Sequence, residues 1–422
     1  RRNTGALLSG STYPNDNLLG TIAGAGNITA TDKFNQYKYA AIFSRLNYQY
    51  AGKYIVNLTG RRDGSSKFGP GKRFGNFGAI GASWIFTEES VLKNNKILSF
   101  GKLRGSLGTT GSDNIDSYLY LSLWSPTVPY LGTIGYIPQN LFNETLHWSV
   151  NKKAEASIEL GFVQNSLMLN ATWYKNRSGN QLVTYVLPAI TGFRGITSNF
   201  PALVENNGWE LMLTYTTPKT SRVVWNSSVN FTIPKNKLVA FPDLHSSSYN
   251  NVYFIGEPVS SIMAYQSLGV DPATGLYTFT TADGPSSTPA FSQRSMYNQL
   301  DPYFYGGWSN TVSYKGIQLD IFLEFKKQNG FNYLRYITAP GSVNINLPAV
   351  DMNRWHQEGE QAEIQKLSSA VRSPAVTALN NFKNSNGIYS DASFIRARNL
   401  SLSYTINNKI LKQLSLTHAK LF

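Results

Sequence analysis

Residues 39–62 read YAAIFSRLNYQYAGKYIVNLTGRR, two strand-like stretches joined by a short turn. In the second stretch Tyr54, Val56 and Leu58 share one face, whereas the residues between them are mostly polar. A period of two with a single apolar face predicts a β-strand. The next stretch, FGNFGAIGASWIF at residues 74–86, alternates in the same way. It predicts a strand of about 10 residues, which is long enough to cross a bilayer if tilted.

Similar strands recur along the chain, among them residues 209–216, 222–232 and 317–326, and two more are expected near 252–267 and 276–281. The connections between the strands follow a pattern. Connections on one side are short, such as residues 51–53 and 315–316, and nearly all those on the other side are long. In each strand before a short connection the last residue or the last but one is aromatic and lies on the apolar face, and these residues are Tyr50, Phe86, Phe162, Tyr215, Tyr314 and Tyr404. Short turns, long opposite loops and rings at one level are typical of outer-membrane barrels. We therefore predict that these six rings form a membrane-interface girdle.

The composition of the whole chain is compatible with such a barrel. The chain has 422 residues, no cysteine and a net charge of +14. Its mean hydropathy is −0.25, and no apolar run approaches the roughly 18 residues of a transmembrane helix. The absence of cysteine excludes a disulfide scaffold, a catalytic thiol and a cysteine zinc site. We expect an all-β fold, a transmembrane antiparallel up-and-down β-barrel with long extracellular loops.

The sequence contains no motif for catalysis or metal binding. The four histidines are scattered, without an HExxH pair, and no GxSxG motif occurs. Five carboxylates alternate with outward apolar residues and are expected to face the lumen, namely Glu155, Glu159, Glu210, Asp320 and Glu324. Solvated lumen charges are the simplest interpretation. We expect no enzymatic activity, no cofactor and no metal, and we treat Glu210, Asp320 and Glu324 as candidate lumen contacts for a substrate.

Five basic residues cluster beside the first long connection, and they are Arg61, Arg62, Lys67, Lys72 and Arg73. They could contact lipopolysaccharide phosphates, a lid protein or an anionic substrate, and a solvated basic loop is the simpler alternative. Basic and aromatic residues also occur together in nucleic-acid-binding proteins. Because the aromatic residues here lie at strand ends, we do not expect nucleic acid as a partner.

Several blocks of the sequence resemble the barrel of SusC/RagA-type TonB-dependent outer-membrane transporters. In chain order they are residues 61–89, 98–114, 204–215 (VENNGWELMLTY), 267–277 (SLGVDPATGLY), 302–322, 353–355 (NRW) and 391–406 (DASFIRARNLSLSYTI). The resemblance implies a bacterial outer-membrane barrel of about 22 strands. It also implies a plug that TonB displaces, import of an oligosaccharide or peptide, and a SusD-like surface lipoprotein that closes over the loops as a lid.

The resemblance also suggests where a substrate would be held. Polar and aromatic groups of the outer loops and the lumen would bind it, because rings stack on sugars and polar groups hydrogen-bond peptides. The candidates are Trp124, Tyr130, Tyr136, Trp355 and Arg61. The alternative function is a barrel that anchors or scaffolds a cell-surface complex without importing nutrient. A passive porin conflicts with the resemblance.

Family members carry a signal peptide, a TonB box and a plug before the barrel, and further strands after it. We therefore expect residues 1–422 to be the C-terminal portion of a barrel, with those segments outside it. A strand edge in hydrocarbon leaves about ten backbone groups unpaired, each costing several kcal/mol. We therefore expect the roughly 12 to 14 strands predicted here to pair with others.

Overall fold

The chain is built almost wholly from β-strands. The computed structural model describes residues 1–93, 95–127, 130–218, 221–338, 346–406, 416–417 and 419–422. In chain order the strands are β1 (Arg2–Ser11), β2 (Asn27–Gln36), β3 (Tyr39–Tyr50), β4 (Tyr54–Ser65), β5 (Phe74–Trp84), β6 (Leu98–Ser112), β7 (Trp124–Pro126), β8 (Tyr136–Pro138), β9 (Ser149–Phe162), β10 (Leu167–Gly179), β11 (Gln181–Val186), β12 (Gly195–Phe200), β13 (Leu203–Thr216), β14 (Val223–Ala240), β15 (Ile262–Ala264), β16 (Ser267–Val270), β17 (Tyr277–Phe279), β18 (Ser295–Tyr297), β19 (Phe304–Tyr314), β20 (Ile317–Lys327), β21 (Asn329–Phe331), β22 (Tyr389–Asp391), β23 (Phe394–Thr405) and β24 (Lys420–Leu421).

Helices are few and short. The α-helix α1 spans Pro374–Phe382. The 3₁₀ turns are Asp16–Leu18, Ile22–Gly24, Phe86–Glu88, Ala189–Thr191, Leu244–Ser246, Phe291–Gln293, Tyr333–Tyr336, Ala349–Asn353 and Asn386–Ile388. Within the described residues no helix has the length and apolar character needed to cross a bilayer.

Twelve strands form one antiparallel sheet. Their order is β24-β23-β20-β19-β14-β13-β10-β9-β6-β5-β4-β3, so each strand pairs with its neighbours along the chain. This order confirms the up-and-down arrangement predicted from the sequence. In the described part of the chain, β3 and β24 are the edge strands.

The connections are mostly short at one end of the sheet and mostly long at the other, as predicted. Between β19 and β20, Lys315 and Gly316 have φ values of 50° and 88°. These left-handed conformations allow a two-residue hairpin turn. At the opposite end the connections include residues 113–148, 241–303 and 328–393.

The two faces of the sheet differ in polarity as the alternation predicts. On one face Leu319 lies opposite Val312, and Leu323 lies opposite Trp308. We call this the apolar face and the other the polar face. The registers of β9, β10, β13, β14, β19 and β20 place all five predicted carboxylates on the polar face, namely Glu155, Glu159, Glu210, Asp320 and Glu324.

Several strands are longer than predicted, and the extra residues lie at the end with long connections. β14 ends at Ala240 rather than at Thr232, and β13 begins at Leu203 rather than at Trp209. Near that end the apolar-face positions are lysine, arginine and other polar residues, so the alternation disappears although the backbone pairing continues. The ends next to short turns lie within two residues of their predicted positions.

The prediction that Phe86 ends a strand was wrong. β5 ends at Trp84, and Phe86 begins a 3₁₀ turn. The Thr87 hydroxyl accepts a hydrogen bond from the Gly101 N–H at 2.9 Å, which holds this turn against β6. The Phe86 ring packs over Gly101, where a Cβ would lie 2.3 Å from it.

One other prediction about the strands needs correction, and one hairpin was missed. The strands expected near 252–267 and 276–281 are the short strands β15, β16 and β17, which lie outside the twelve-stranded sheet. The hairpin of β1 and β2 was not predicted, because its sequence alternates weakly and nearly all of its residues are exposed.

The long connections after β14 and β20 pack against each other and form a separate loop core. Its buried members are Tyr265, Val270, Leu276, Tyr277, Phe279, Ala375, Ala378, Leu379, Phe382 and Ile388. The Tyr277 ring stacks on Phe382 with centroids 3.9 Å apart. Ser373 caps α1 by accepting the Val376 N–H, with Pro374 at the first helical position.

Candidate functional site

The polar face of the sheet carries two adjoining cavities between β5 and β20. One has a volume of about 510 Å³, and its polar lining includes Glu210, Glu324, Asn170, Asn230 and Tyr305. The other has a volume of about 820 Å³ and is lined by Glu210 together with Arg104, Glu155, Tyr174, Asn176 and Asn206. Glu210 therefore borders both cavities. The arrangement offers hydrogen-bond donors and acceptors along a continuous surface.

Among the described residues, most charged side chains on this surface form ion pairs or hydrogen bonds, whereas Glu210 does not. Arg104 Nη2 lies 2.8 Å from Glu155 Oε1, and Lys102 Nζ lies 3.6 Å from Glu159 Oε1. Glu210 makes no hydrogen bond or ion pair with any described residue and is exposed. Its carboxylate is therefore available to accept hydrogen bonds from a bound hydroxyl or amide.

Two other predicted carboxylates already have partners. Asp320 accepts hydrogen bonds from the Thr311 hydroxyl and the Gln318 amide, each at 2.7 Å. Glu324 accepts a charge-assisted hydrogen bond from Arg398. Glu324 still borders a cavity, whereas Asp320 lines neither of the two.

Arg61 lies on β4, outside both cavities, and its guanidinium is held by neighbouring side chains. It donates to Asp63 through Nε at 2.7 Å and Nη2 at 2.8 Å, and to the Tyr39 hydroxyl at 3.1 Å. Asp63 is buried, so this bidentate pair fixes the Arg61 side chain.

Several cations of the basic cluster beside Arg61 contact neighbouring groups of the protein. The Arg62 guanidinium lies over the Phe74 ring at 5.0 Å, and Lys67 Nζ donates to the Asp113 carbonyl at 3.1 Å. Arg73 Nε donates to the Phe68 carbonyl at 3.3 Å. Most of these cations therefore stabilise the loop and its surroundings.

Three of the aromatic candidates lie on one long loop. Trp124 is in β7 and Tyr136 is in β8, and the pairing of Trp124 with Pro138 and of Pro126 with Tyr136 puts both rings on one face of this hairpin. Tyr130 lies near its tip, where it pairs with Thr133. The three side chains are 58%, 67% and 79% exposed. They form an aromatic surface open to solvent.

Trp355 does not belong to that surface. Its indole Nε1 donates to the Pro272 carbonyl at 2.9 Å, and its ring packs against the loop core. Gly275, with φ of +70°, lies directly beneath the ring, and a Cβ there would be 2.4 Å from it. The contacts of Trp355 hold two long connections together.

The rings predicted as an interface girdle lie on the apolar face, next to the short turns. The registers place Tyr50, Phe162, Tyr215, Tyr314 and Tyr404 there, and Phe86 lies in the neighbouring 3₁₀ turn. The sequence analysis missed further rings at this level. Tyr54 stacks on Tyr50 with centroids 6.4 Å apart, and Trp225 packs against Tyr215 at 5.1 Å.

The sequence analysis also missed most of the neutral residues that line the cavities. Asn170, Asn230 and Tyr305 lie on the polar face with Glu210, and the same alternation that identified the carboxylates could have identified them. Within the described ranges no group of three or more potential metal ligands occurs. One of the four histidines, His418, lies outside the described residues.

Comparison with known proteins identifies the family. The family model described as TonB dependent receptor-like, beta-barrel matches residues 2–417. TonB-dependent receptor P3 of Formosa agariphila is 26% identical over 431 residues, which cover 94% of this chain and 42% of the relative. TonB-dependent receptor SusC of Bacteroides thetaiotaomicron is 24% identical over 389 residues, which cover 87% of this chain and 38% of that receptor.

The fold matches a solved transporter. The structure titled "Structure of the RagAB peptide transporter" superposes with a TM-score of 0.84 at 22% identity, over 99% of this chain and 47% of that one. The chain thus spans about two fifths of the length of the curated relatives it matches. These curated relatives are named as receptors. The chain belongs to the TonB dependent receptor-like, beta-barrel family of outer-membrane barrels, and it is similar to SusC and to the RagAB transporter.

Proposed function

We propose that this chain forms the barrel wall of an energised importer that takes up an oligosaccharide or a peptide through the outer membrane. The observation that carries the proposal is the pair of cavities on the polar face, which share Glu210. In the barrel of this family the polar face lines the lumen. Uncharged amides, hydroxyls and an unpaired carboxylate suit a ligand that offers many hydrogen-bonding groups.

The exposed aromatic loop supports the same proposal from the outside. Trp124 and Tyr136 share one face of their hairpin, where flat rings can stack on sugar rings or on peptide side chains. In this proposal the loop makes the first contact with the substrate, and the polar face then guides the substrate inward.

The partners that we propose follow from the relatives. TonB would supply energy from the inner membrane through a plug domain, and a SusD-like lipoprotein would close over the long loops. The relatives are named TonB-dependent receptors, and a solved neighbour is titled a peptide transporter. We also propose outer-membrane lipid, including lipopolysaccharide, as a partner of the apolar face.

Uptake by cells tests the importer directly. The gene for the complete receptor would be deleted and restored in its own host, and the uptake of defined oligosaccharide and peptide mixtures would be followed by mass spectrometry. We expect the loss of one substrate class on deletion, and the same loss in a strain that lacks TonB. If uptake is unchanged while a surface complex disassembles, the scaffold alternative replaces import.

Variants of the receptor test the site. We expect Trp124→Ala with Tyr136→Ala to weaken substrate binding about tenfold, since each lost ring contact costs roughly 0.5–1.5 kcal/mol. Leu131→Ala is the matched control, because Leu131 lies on the same loop and is 89% exposed but has no ring. Equal binding by all variants would remove the aromatic loop from the proposal. Copurification of the wild type with a surface lipoprotein tests the lid.

A further inference from the structure

The apolar residues of the apolar face form a belt across the sheet, which we call the apolar belt. Beyond this belt, towards the long connections, the residues on the same face are mostly basic. Lys152 on β9 pairs with Arg177 on β10, which pairs with Glu205 on β13, which pairs with Lys237 on β14. One row closer to the apolar belt, Ala154, Lys175, Asn207 and Lys235 follow one another in the same way. The basic band therefore consists of Lys152, Lys175, Arg177, Lys235 and Lys237. It lies on four neighbouring strands.

The charges of the basic band are only partly balanced. Glu205 is the one carboxylate in these two rows, and it is buried between Arg177 Nε at 2.6 Å and Lys175 Nζ at 3.1 Å. Five cations against one carboxylate leave a net charge of +4. In the described part of the chain Lys152, Lys235 and Lys237 are exposed and have no acidic partner.

Tryptophan side chains lie directly beneath the basic band. In the next row towards the apolar belt, Trp173 pairs with Trp209, and Trp209 is 50% exposed. Two residues along a strand correspond to about 7 Å. Tryptophan is most stable at the level of lipid headgroups. The basic band therefore lies at headgroup level, at the end of the sheet with long extracellular connections.

A groove joins the basic band to the apolar belt. Pairing between β5 and β6 stops at Ala79 and Gly108, and from there the two strands diverge. The groove has a volume of about 550 Å³ and is lined below by Ile80 and Leu107 and above by Lys152, Lys175 and Arg177. Barrel strands are tilted relative to the barrel axis, so a row of paired residues runs obliquely to the membrane plane. One end of such a row can lie in the hydrocarbon layer and the other at the level of the lipid headgroups. The same row is therefore apolar at Leu107 and basic at Lys175.

We propose that the basic band and its groove bind a phosphate-bearing glycolipid of the outer leaflet. The phosphates contact Lys152, Lys235 and Lys237, and one acyl chain lies in the groove against Ile80 and Leu107. Lysine and arginine bind phosphate by charge-assisted hydrogen bonds. The charge and the direction of the groove fit an anionic headgroup above an acyl chain. The proposal depends on the outer-membrane barrel and not on import, so a receptor that fails to import can still bind the lipid.

The test uses the complete receptor in nanodiscs that contain diphosphoryl lipid A, or the same lipid with its phosphates removed. Native mass spectrometry then counts the lipids retained by the protein. We expect preferential retention of diphosphoryl lipid A. The triple variant Lys152→Gln, Lys235→Gln, Lys237→Gln should retain it about 100-fold less, since each cation near an anionic surface contributes roughly a fivefold change. Lys175 and Arg177 are left in place because they hold Glu205.

The matched control removes the same charge elsewhere. Lys33→Gln, Lys38→Gln and Lys96→Gln change exposed lysines outside the basic band and should leave lipid retention unchanged. Folding of each variant is checked by its heat-modifiable mobility on a gel, and Lys235→Gln alone serves if the triple variant fails to fold. Leu107→Trp should fill the groove and lower retention with every cation in place.

Three results would overturn the proposal. They are equal retention of the two lipids by the wild type, equal loss in the band and control variants, and displacement of the lipid by inorganic phosphate at the same concentration. The last would mean that the band is a site for free phosphate and that the groove holds no acyl chain.

Discussion

At the scale of single residues, Asp351 is an acid whose carboxylate is buried beside the loop core without a hydrogen-bond partner among the described residues. Asp351 is 3% exposed. Burial raises the pKa of the Asp351 carboxyl above its usual value, although the nearby Arg354 opposes the shift. A buried polar group without a hydrogen-bond partner costs roughly 1–3 kcal/mol, and a charged group costs more. The ionised form of Asp351 should therefore weaken the loop core.

We expect Asp351→Asn to stabilise the loop core at pH 7. A carboxyl with a raised folded-state pKa carries its full stability below the unfolded value, near 3.8, and loses stability as the pH rises. The variant should therefore show about tenfold slower hydrogen exchange in α1 at pH 7, and no difference near pH 4.

Asp283→Asn is the control for this prediction, because Asp283 is an exposed aspartate on the same connections. It should leave the exchange of α1 unchanged at both pH values. A higher protection factor of wild-type α1 at pH 7 than at pH 4, after correction for the intrinsic pH dependence of amide exchange, would contradict the role assigned to Asp351.

At the scale of elements, β5 and β6 part at one end, and aromatic rings fill the space between them. Phe77 is 7% exposed and packs against Trp148 with centroids 5.6 Å apart, and Phe68 completes the contact. Gly111 on β6 lies against the Phe77 ring, and a Cβ there would be 2.0 Å from it. The glycine is therefore required by the ring rather than by backbone conformation.

We expect Gly111→Ala to displace Phe77 and to destabilise the junction of β5 and β6 by about 1–3 kcal/mol, as overpacking does. Thermal unfolding of the detergent-solubilised receptor measures the effect. Gly60→Ala is the control, because Gly60 lies in the neighbouring strand β4 and a Cβ added there would have no atom within 4 Å. If both variants unfold at the wild-type temperature, the contact with Phe77 is not tight.

At the scale of the whole molecule, the apolar face makes the chain a membrane protein. Ile321 lies in the middle of β20 on that face, opposite Asn310 and Leu400, whereas Ser309 lies on the polar face opposite Phe322. A charge on the lipid side has to be buried in hydrocarbon, and a charge on the lumen side stays in water.

We expect Ile321→Arg to reduce the amount of folded receptor in the outer membrane, since arginine at the bilayer midplane costs about 2–4 kcal/mol. Ser309→Arg, one strand away on the polar face, should insert normally. Heat-modifiable gel mobility of outer-membrane fractions measures the folded fraction. Equal insertion of the two variants would mean that the apolar face does not contact lipid.

Much of the sheet could be predicted from the sequence because alternation is a local signal. β3 was predicted with both ends correct, and β20 to within one residue. The outer halves of β13 and β14 could not be predicted from alternation, because Asn207, Lys235 and Lys237 are polar on the face that is otherwise apolar. Only their pairing with neighbouring strands keeps these segments extended.

The candidate site shows the same division. Glu210 and Glu324 were assigned to the polar face correctly, but their common cavity depends on the registers of β13, β14, β19 and β20. Trp355 was grouped with the exposed aromatic residues, and its contact with Pro272, 83 positions away, could not be read locally. Exposure of an aromatic ring depends on distant packing, so its residue type alone does not predict its role.

The sequence by itself determined the strands, the two faces of the sheet, the unequal lengths of the connections and the family resemblance, because each of these depends on residues close together in the chain. The tertiary structure alone decided which charges are paired, which rings are buried and where the basic band meets its groove. Those features depend on register, which brings Lys152, Arg177, Glu205 and Lys237 into one row from four strands. The alternation of side chains within one strand does not reveal how neighbouring strands are aligned with each other.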